Sequence, residues 1–186
     1  MMEERINRIF NECVEQLQKI DIPLGKVNKV VIVHDSMRWG RCTNLIDYYK
    51  IEIDSLLTDP KYEKGLRKVI MHELLHTCPN CITHNSEWKK LAKKVTEAYG
   101  CNIQVTDGYY DLGISTKDYV KYQQPKYAFY CIDCGTVVLK TRACHMTRHY
   151  ILYRCSKCGG ILLKMPEDKL RRMKGLPRKD KQADKE

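Results

Sequence analysis

The stretch HELLHTCPNCITH, His72 to His84, holds three histidines, one glutamate and two cysteines in thirteen positions. His72 and His76 are four residues apart, so on a helix their rings project from one face about a turn apart, the spacing that binds one zinc ion. Glu73 is one residue on, rotated about 100° around the axis. From there it can reach a water held by the zinc without taking a coordination position. Zinc lowers the pKa of such a water towards ~7, and a neighbouring carboxylate can accept its proton as the water attacks a carbonyl. That is the chemistry of peptide-bond hydrolysis.

Five residues of this kind also occur on helices whose histidines are plain surface or satisfied core. Here the surrounding segment VIMHELLH is apolar, so a buried His/Glu cluster within it needs partners. A third protein ligand is required if water takes the fourth position. His84 is the nearest candidate; its rival is Glu97, twenty-one residues beyond His76. Imidazole suits zinc, and His84 stands just ahead of a new helix. Glu97 falls on the charged face of KKLAKKVTEAYG. His84 is the expected ligand. The Cys78-Pro79-Asn80-Cys81 segment reads as a tight turn that aims His84, the other reading being a disulfide or a metal bridge.

A second constellation lies further on. Cys131-x-x-Cys134-Gly135 and Cys155-x-x-Cys158-Gly159-Gly160 are separated by twenty residues. Four thiolates on two such turns complete a closed tetrahedral zinc site, and the glycines suit the turn backbone. With every position filled by protein, that zinc is structural. The intervening TVVLKTR and RHYILYR read as strands, giving a zinc ribbon over 125–164. Two zinc ions per chain are expected. Cys13, Cys42, Cys101 and Cys144 stand alone and read as small buried hydrophobes.

The elements around these residues follow from periodicity. Ile6, Ile9, Cys13, Leu17 and Ile20 space an amphipathic helix over 3–20. KVNKVVIVHD and YYKIEID read as strands, with RWGRCTN between them carrying a glycine at a bend. Asp59-Pro60 opens a helix running to about Thr77. Another helix starts at Asn85 or Ser86 and carries Trp88, Leu91, Ala92, Val95 and Tyr99, with Gly100 as its stop. Residues 106–124 read as a connector, and 165–186 as a basic, disordered tail. The fold class is therefore α+β: a three-stranded sheet packed on helices, then a small β zinc ribbon.

HELLH followed by HNSEW resembles the SprT-like zinc metalloprotease family, related to the DNA–protein crosslink protease Spartan. There a His-Glu-x-x-His helix is followed by a loop bearing the third zinc histidine in a His-Gly-x-x-Trp-like motif. The resemblance implies a zincin-like metallopeptidase domain over 1–105, with zinc on His72, His76 and His84, Glu73 as the catalytic glutamate and Trp88 as a packing aromatic. MRWGRC, Met37 to Cys42, is similar to the strand motif that precedes this helix in the family. Asn85 stands where glycine is common, a place suited to Asn if the backbone is left-handed.

Charge bears on partners. The chain has 186 residues and a net charge of +10. Residues 1–105 carry sixteen Lys/Arg against fourteen Asp/Glu, whereas 125–164 carry seven against one. Arg142, Arg148, Arg154 and Lys157, with Tyr127, Phe129, Tyr130, Tyr150 and Tyr153, would suit DNA through charge and stacking; the other reading makes these aromatics the ribbon's own core. A protein substrate, with DNA at the ribbon and tail, is the expected partner set. The alternative is a non-catalytic zinc adaptor that binds nucleic acid. The acidic and basic amino terminus lacks the apolar run of a signal peptide, and no stretch is long enough to span a bilayer, so a cytoplasmic location is expected.

Overall fold

The computed structural model describes residues 2–34 and 38–176. The chain forms two compact units, 1–113 and 114–186. Met37 of the MRWGRC motif and the tail from Pro177 onward lie outside the described residues. Among those described, no helix is long and apolar enough to cross a membrane.

The first unit opens with α1 (Met2–Lys19), whose buried face is Ile6, Ile9, Cys13 and Leu17. Strands β1 (Val27–Val33), β2 (Gly40–Asn44) and β3 (Tyr49–Asp54) follow. They pair in the order β1-β3-β2, with β1 parallel and β2 antiparallel to β3, so β2 is an edge strand. The Asp59-Pro60 start signal first yields a 3₁₀ turn, Pro60–Tyr62, capped by the Asp59 carboxylate on the Lys61 N–H. Helix α2 then runs Glu63–Leu75. Leu66, Ile70, Leu74 and Leu75 on α2, Ile51 and Ile53 on β3, and Leu57 are fully buried. This core fixes α2 against the sheet. Helix α3 (Ser86–Tyr99) ends at Gly100, whose φ of 65° is the left-handed C-cap that glycine adopts without steric cost.

The second unit holds α4 (Thr116–Gln123), β4 (Tyr127–Cys131), β5 (Val137–Lys140), α5 (His145–Arg148), β6 (Leu162–Lys164) and α6 (Glu167–Met173). Its sheet has the order β5-β4-β6. Side chains alternate between two faces, as strand geometry demands. Phe129 and Cys131 pack on one face with Met146, Cys155 and Leu162. Ala128 and Val137 pack on the other with Val120, Met165 and Leu170.

Three expectations are corrected here. RHYILYR is not a strand: it makes the end of α5 and a 3₁₀ turn, Tyr150–Leu152, and the third strand is β6. Cys144 caps α5 in a reciprocal box with Thr147, which starts a helical turn just where a strand was expected. The connector contains α4, and the tail begins with α6 instead of disorder. Val120 and Leu170 from these helices are needed to cover the second face of the sheet.

Candidate active site

His72 and Glu73 lie in the last turns of α2, and His76 is its C-cap. The chain then turns at Cys78–Cys81, where the Cys81 N–H donates to the Cys78 carbonyl at 3.1 Å and Asn80 takes a φ of 60°. The turn brings His84 back beside α2. The Nε2 atoms of the three histidines lie 3.3 Å (His72–His76), 3.2 Å (His76–His84) and 3.0 Å (His72–His84) apart. A tetrahedral ion with metal–nitrogen bonds of ~2.0–2.1 Å has nitrogen–nitrogen edges of roughly 3.3–3.4 Å. The donor set therefore fits a zinc-sized ion, and His72, His76 and His84 could hold it.

Proton placement agrees. His76 Nδ1 is 2.7 Å from the Cys81 carbonyl, so it donates there and leaves the Nε2 lone pair facing its neighbours. The His72 ring donates to the Gln104 carbonyl. Burial, followed by the neighbouring histidines, pushes His72 down to about 3, and burial lowers His76 and His84 as well. All three rings are thus neutral at neutral pH, the state that ligates metal.

Trp88, fully buried on α3, underlies the triad, with ring centroids 4.8 Å from His72, 5.5 Å from His76 and 4.5 Å from His84. Asn85 sets the start of α3, but not by a left-handed backbone. Its φ is −74° and its side chain accepts from the Trp88 N–H at 3.0 Å, so it acts as an N-cap. Glu97, the rival ligand, is exposed on α3 and lies 3.8 Å from Lys93.

Glu73 is only 5% exposed. The Cys42 backbone N–H on β2 donates to its carboxylate, and burial pushes the carboxyl up to about 8. Gly40, also on β2, is where Glu73 packs: a Cβ there would stand 2.6 Å from Glu73 Oε1 and 2.8 Å from Val69 Cγ1. The glycine of RWGRC thus clears the space for the carboxylate. Gly40→Ala should cost about 1–3 kcal/mol through overpacking. It should also displace the carboxylate, so that any hydrolysis depending on Glu73 falls about 10²-fold. Thermal unfolding and a turnover assay on the same preparation read both effects; unchanged turnover would separate Gly40 from the placement of Glu73.

These groups line a cleft of about 470 Å³. Arg38, Trp39, Gly40, Arg41 and Cys42 form one wall, Val105, Thr106 and Asp107 another, and Ile82 stands by His84. Ile82 is 52% and Val105 43% exposed, so the rims offer apolar surface. The carbonyls of Cys81 and Gln104 and the N–H of Cys42 were not legible beforehand, because backbone groups leave no residue-type signal. Only the CPNC turn hinted at the first.

In the second unit the four cysteines also converge. Cys131 and Cys158 Sγ are 3.4 Å apart, and Cys134 and Cys155 Sγ 3.6 Å. Zinc–sulfur bonds of ~2.3 Å give edges of roughly 3.8 Å, so this set also fits a tetrahedral ion. Gly135 and Gly159 supply the left-handed positions of the two turns, with φ of 70° and 75°. The aromatics read beforehand as stacking surfaces are mostly core: Phe129 is fully buried and stands 5.1 Å from Tyr150. Tyr127 and Tyr130 are half-buried, leaving Tyr153 exposed. Arg142, Arg148, Arg154 and Lys157 are all exposed.

A search of curated proteins returns no match to the chain. The profile of the SprT-like family matches residues 7–107, a span that contains the edge strand, the His72–Glu73–His76 helix, His84 and the cleft they line. The chain belongs to the SprT-like family, and its first unit is a metallopeptidase-like domain.

Proposed function

We propose that the protein is a zinc-dependent metallopeptidase that hydrolyses peptide bonds of protein substrates. One observation carries this reading: three imidazoles converge beside a buried glutamate within an open cleft. Held by His72, His76 and His84, zinc would supply a Lewis acid that polarises the scissile carbonyl and acidifies water. Zinc held beside Glu73 would keep its carboxyl ionised against the upward pull of burial, so Glu73 accepts the proton of the attacking water, and the Cys42 N–H fixes the orientation of its carboxylate. Edge strand β2 offers backbone groups along which an extended peptide can pair. Ile82 and Val105 receive apolar side chains at the rims. A second zinc, on Cys131, Cys134, Cys155 and Cys158, is structural.

A non-catalytic adaptor has no use for Glu73, because burying a carboxyl beside the ligand set costs stability that a structural site need not spend. The discriminating assay incubates the zinc-loaded full chain with a DNA-binding protein, alone and with single- or double-stranded DNA. Cleavage products that disappear with chelation are expected. No cleavage under any condition at full zinc occupancy would leave the adaptor reading.

Nucleic acid is the proposed partner of the second unit, through phosphate contacts more than stacking, since the buried aromatics leave little platform. Single-stranded DNA should bind with a log–log salt slope of about −3 if the four named cations each meet a phosphate. Replacing Arg142, Arg148, Arg154 and Lys157 together by Gln should flatten that slope towards zero in a fluorescence titration. Equal binding by the variant would move the contact elsewhere.

A further inference from the structure

The cleft wall at residues 104–107 has no regular secondary structure, yet it supplies the Gln104 carbonyl that receives the His72 proton. Something must hold this segment in place, and two contacts converge on one residue. The Asp107 carboxylate pairs with Lys68 Nζ on α2, the side chains being 7% and 10% exposed. The Asp107 backbone carbonyl accepts from Trp39 Nε1 at 3.0 Å, just ahead of β2. Lys68 is one helical turn before His72. Asp107 therefore ties the helix that carries His72 and Glu73 to the start of the strand that packs on Glu73.

We propose that Asp107 is a positioning residue for the metal centre: clamped by Lys68 and Trp39, it fixes the segment whose Gln104 carbonyl orients His72. This rests on the metallopeptidase reading for its role in turnover but not for its effect on metal binding. The geometry explains why a charged pair is kept beside the cleft. Breaking a buried pair leaves the other charge uncompensated, so the segment cannot drift without a penalty. A carbonyl that fixes a ligand imidazole typically changes metal affinity 10–100-fold when lost. Asp107 acts one step further back, so the expected loss is at the low end of that range.

The test measures zinc release to a competing chelator from the full chain, resolving the histidine site from the four-cysteine site. Asp107→Asn should weaken the histidine site about tenfold and leave the cysteine site unchanged. Because this variant strands Lys68 and could destabilise the unit, Lys68→Met/Asp107→Leu is measured beside it, and Trp39→Phe removes the second clamp while keeping an aromatic ring. Asp107→Glu, which keeps the charge, should recover part of the affinity. A cobalt(II)-substituted protein should show altered ligand-field bands for the weakened variants. Wild-type release curves and cobalt spectra for both the double variant and Trp39→Phe would overturn the proposal. Cleavage is scored separately: a zinc-loaded wild type that cleaves nothing would end the peptidase reading, while the metal affinities would still decide the role of Asp107.

Discussion

Glu73→Gln should abolish peptide hydrolysis while leaving the metal site and the fold intact. The amide matches the carboxylate in size, keeps an acceptor for the Cys42 N–H and fits the space beside Gly40. What it cannot do is take a proton from water. Loss of a positioned general base costs about 10²–10⁴-fold, so turnover should fall by at least that range's lower bound. Stability should move the other way in the metal-free protein. The Glu73 carboxyl is raised from 4.5 to about 8 by burial. A carboxyl whose folded pKa exceeds its unfolded value costs stability wherever the unfolded form is ionised. The cost begins near 4.5, grows with rising pH and levels off beyond about 8. The amide removes it, so the metal-free variant should match wild type at acid pH and exceed it at neutral pH. Equal cleavage by the two proteins at matched zinc content would remove Glu73 from the mechanism. Denaturation of both at several pH values checks the second half.

Much of this site was readable from residue types because side-chain chemistry repeats at helical spacing. The His72/His76 interval on an apolar helix, a third imidazole at a junction, and Trp88 three residues past the Asn85 cap are all side-chain signals. The outer contacts were not readable. Cys81 and Gln104 act through carbonyls and Cys42 through its N–H, and any residue type supplies those groups. The Lys68–Asp107 pair was hidden for another reason: its partners are thirty-nine residues apart. In the second unit the cysteine spacing announced the four-cysteine cluster, but not the extent of the unit. α4 and α6 are short and rich in charge, and each gives few apolar residues to the core, so neither showed a convincing period. Their meaning appears only with the two-faced sheet, whose second face they cover.

That two-faced construction determines what loss of the cysteine cluster should do. Cys155→Ser should unfold the metal-side face of the second unit, lower the zinc content from two to one per chain, and leave the first unit folded. Cys155 is 3% exposed and packs with Phe129, Cys131, Met146 and Leu162, so its sulfur belongs both to the ligand set and to the core. A serine hydroxyl is a poor substitute in either role: it leaves a polar group among apolar neighbours and removes one thiolate from a closed set. Zinc binding to structural sites contributes about 10–16 kcal/mol of apparent folding free energy in isolated fingers, more than so small a core can replace. The opposite face, built from Val120, Ala128, Val137, Met165 and Leu170, shares β4 and β5 with the metal side. Freeing Cys131 and Phe129 should release those strands, so the second cluster should loosen with the first. Amide exchange resolves the outcome: protection at Phe129 and Val138, which face each other across β4 and β5, should collapse, while Ile70 and Leu74 on α2 stay protected. Retained protection in β4 and β5 after loss of one zinc would mean that α4 and α6, not the metal, carry the fold of the second unit.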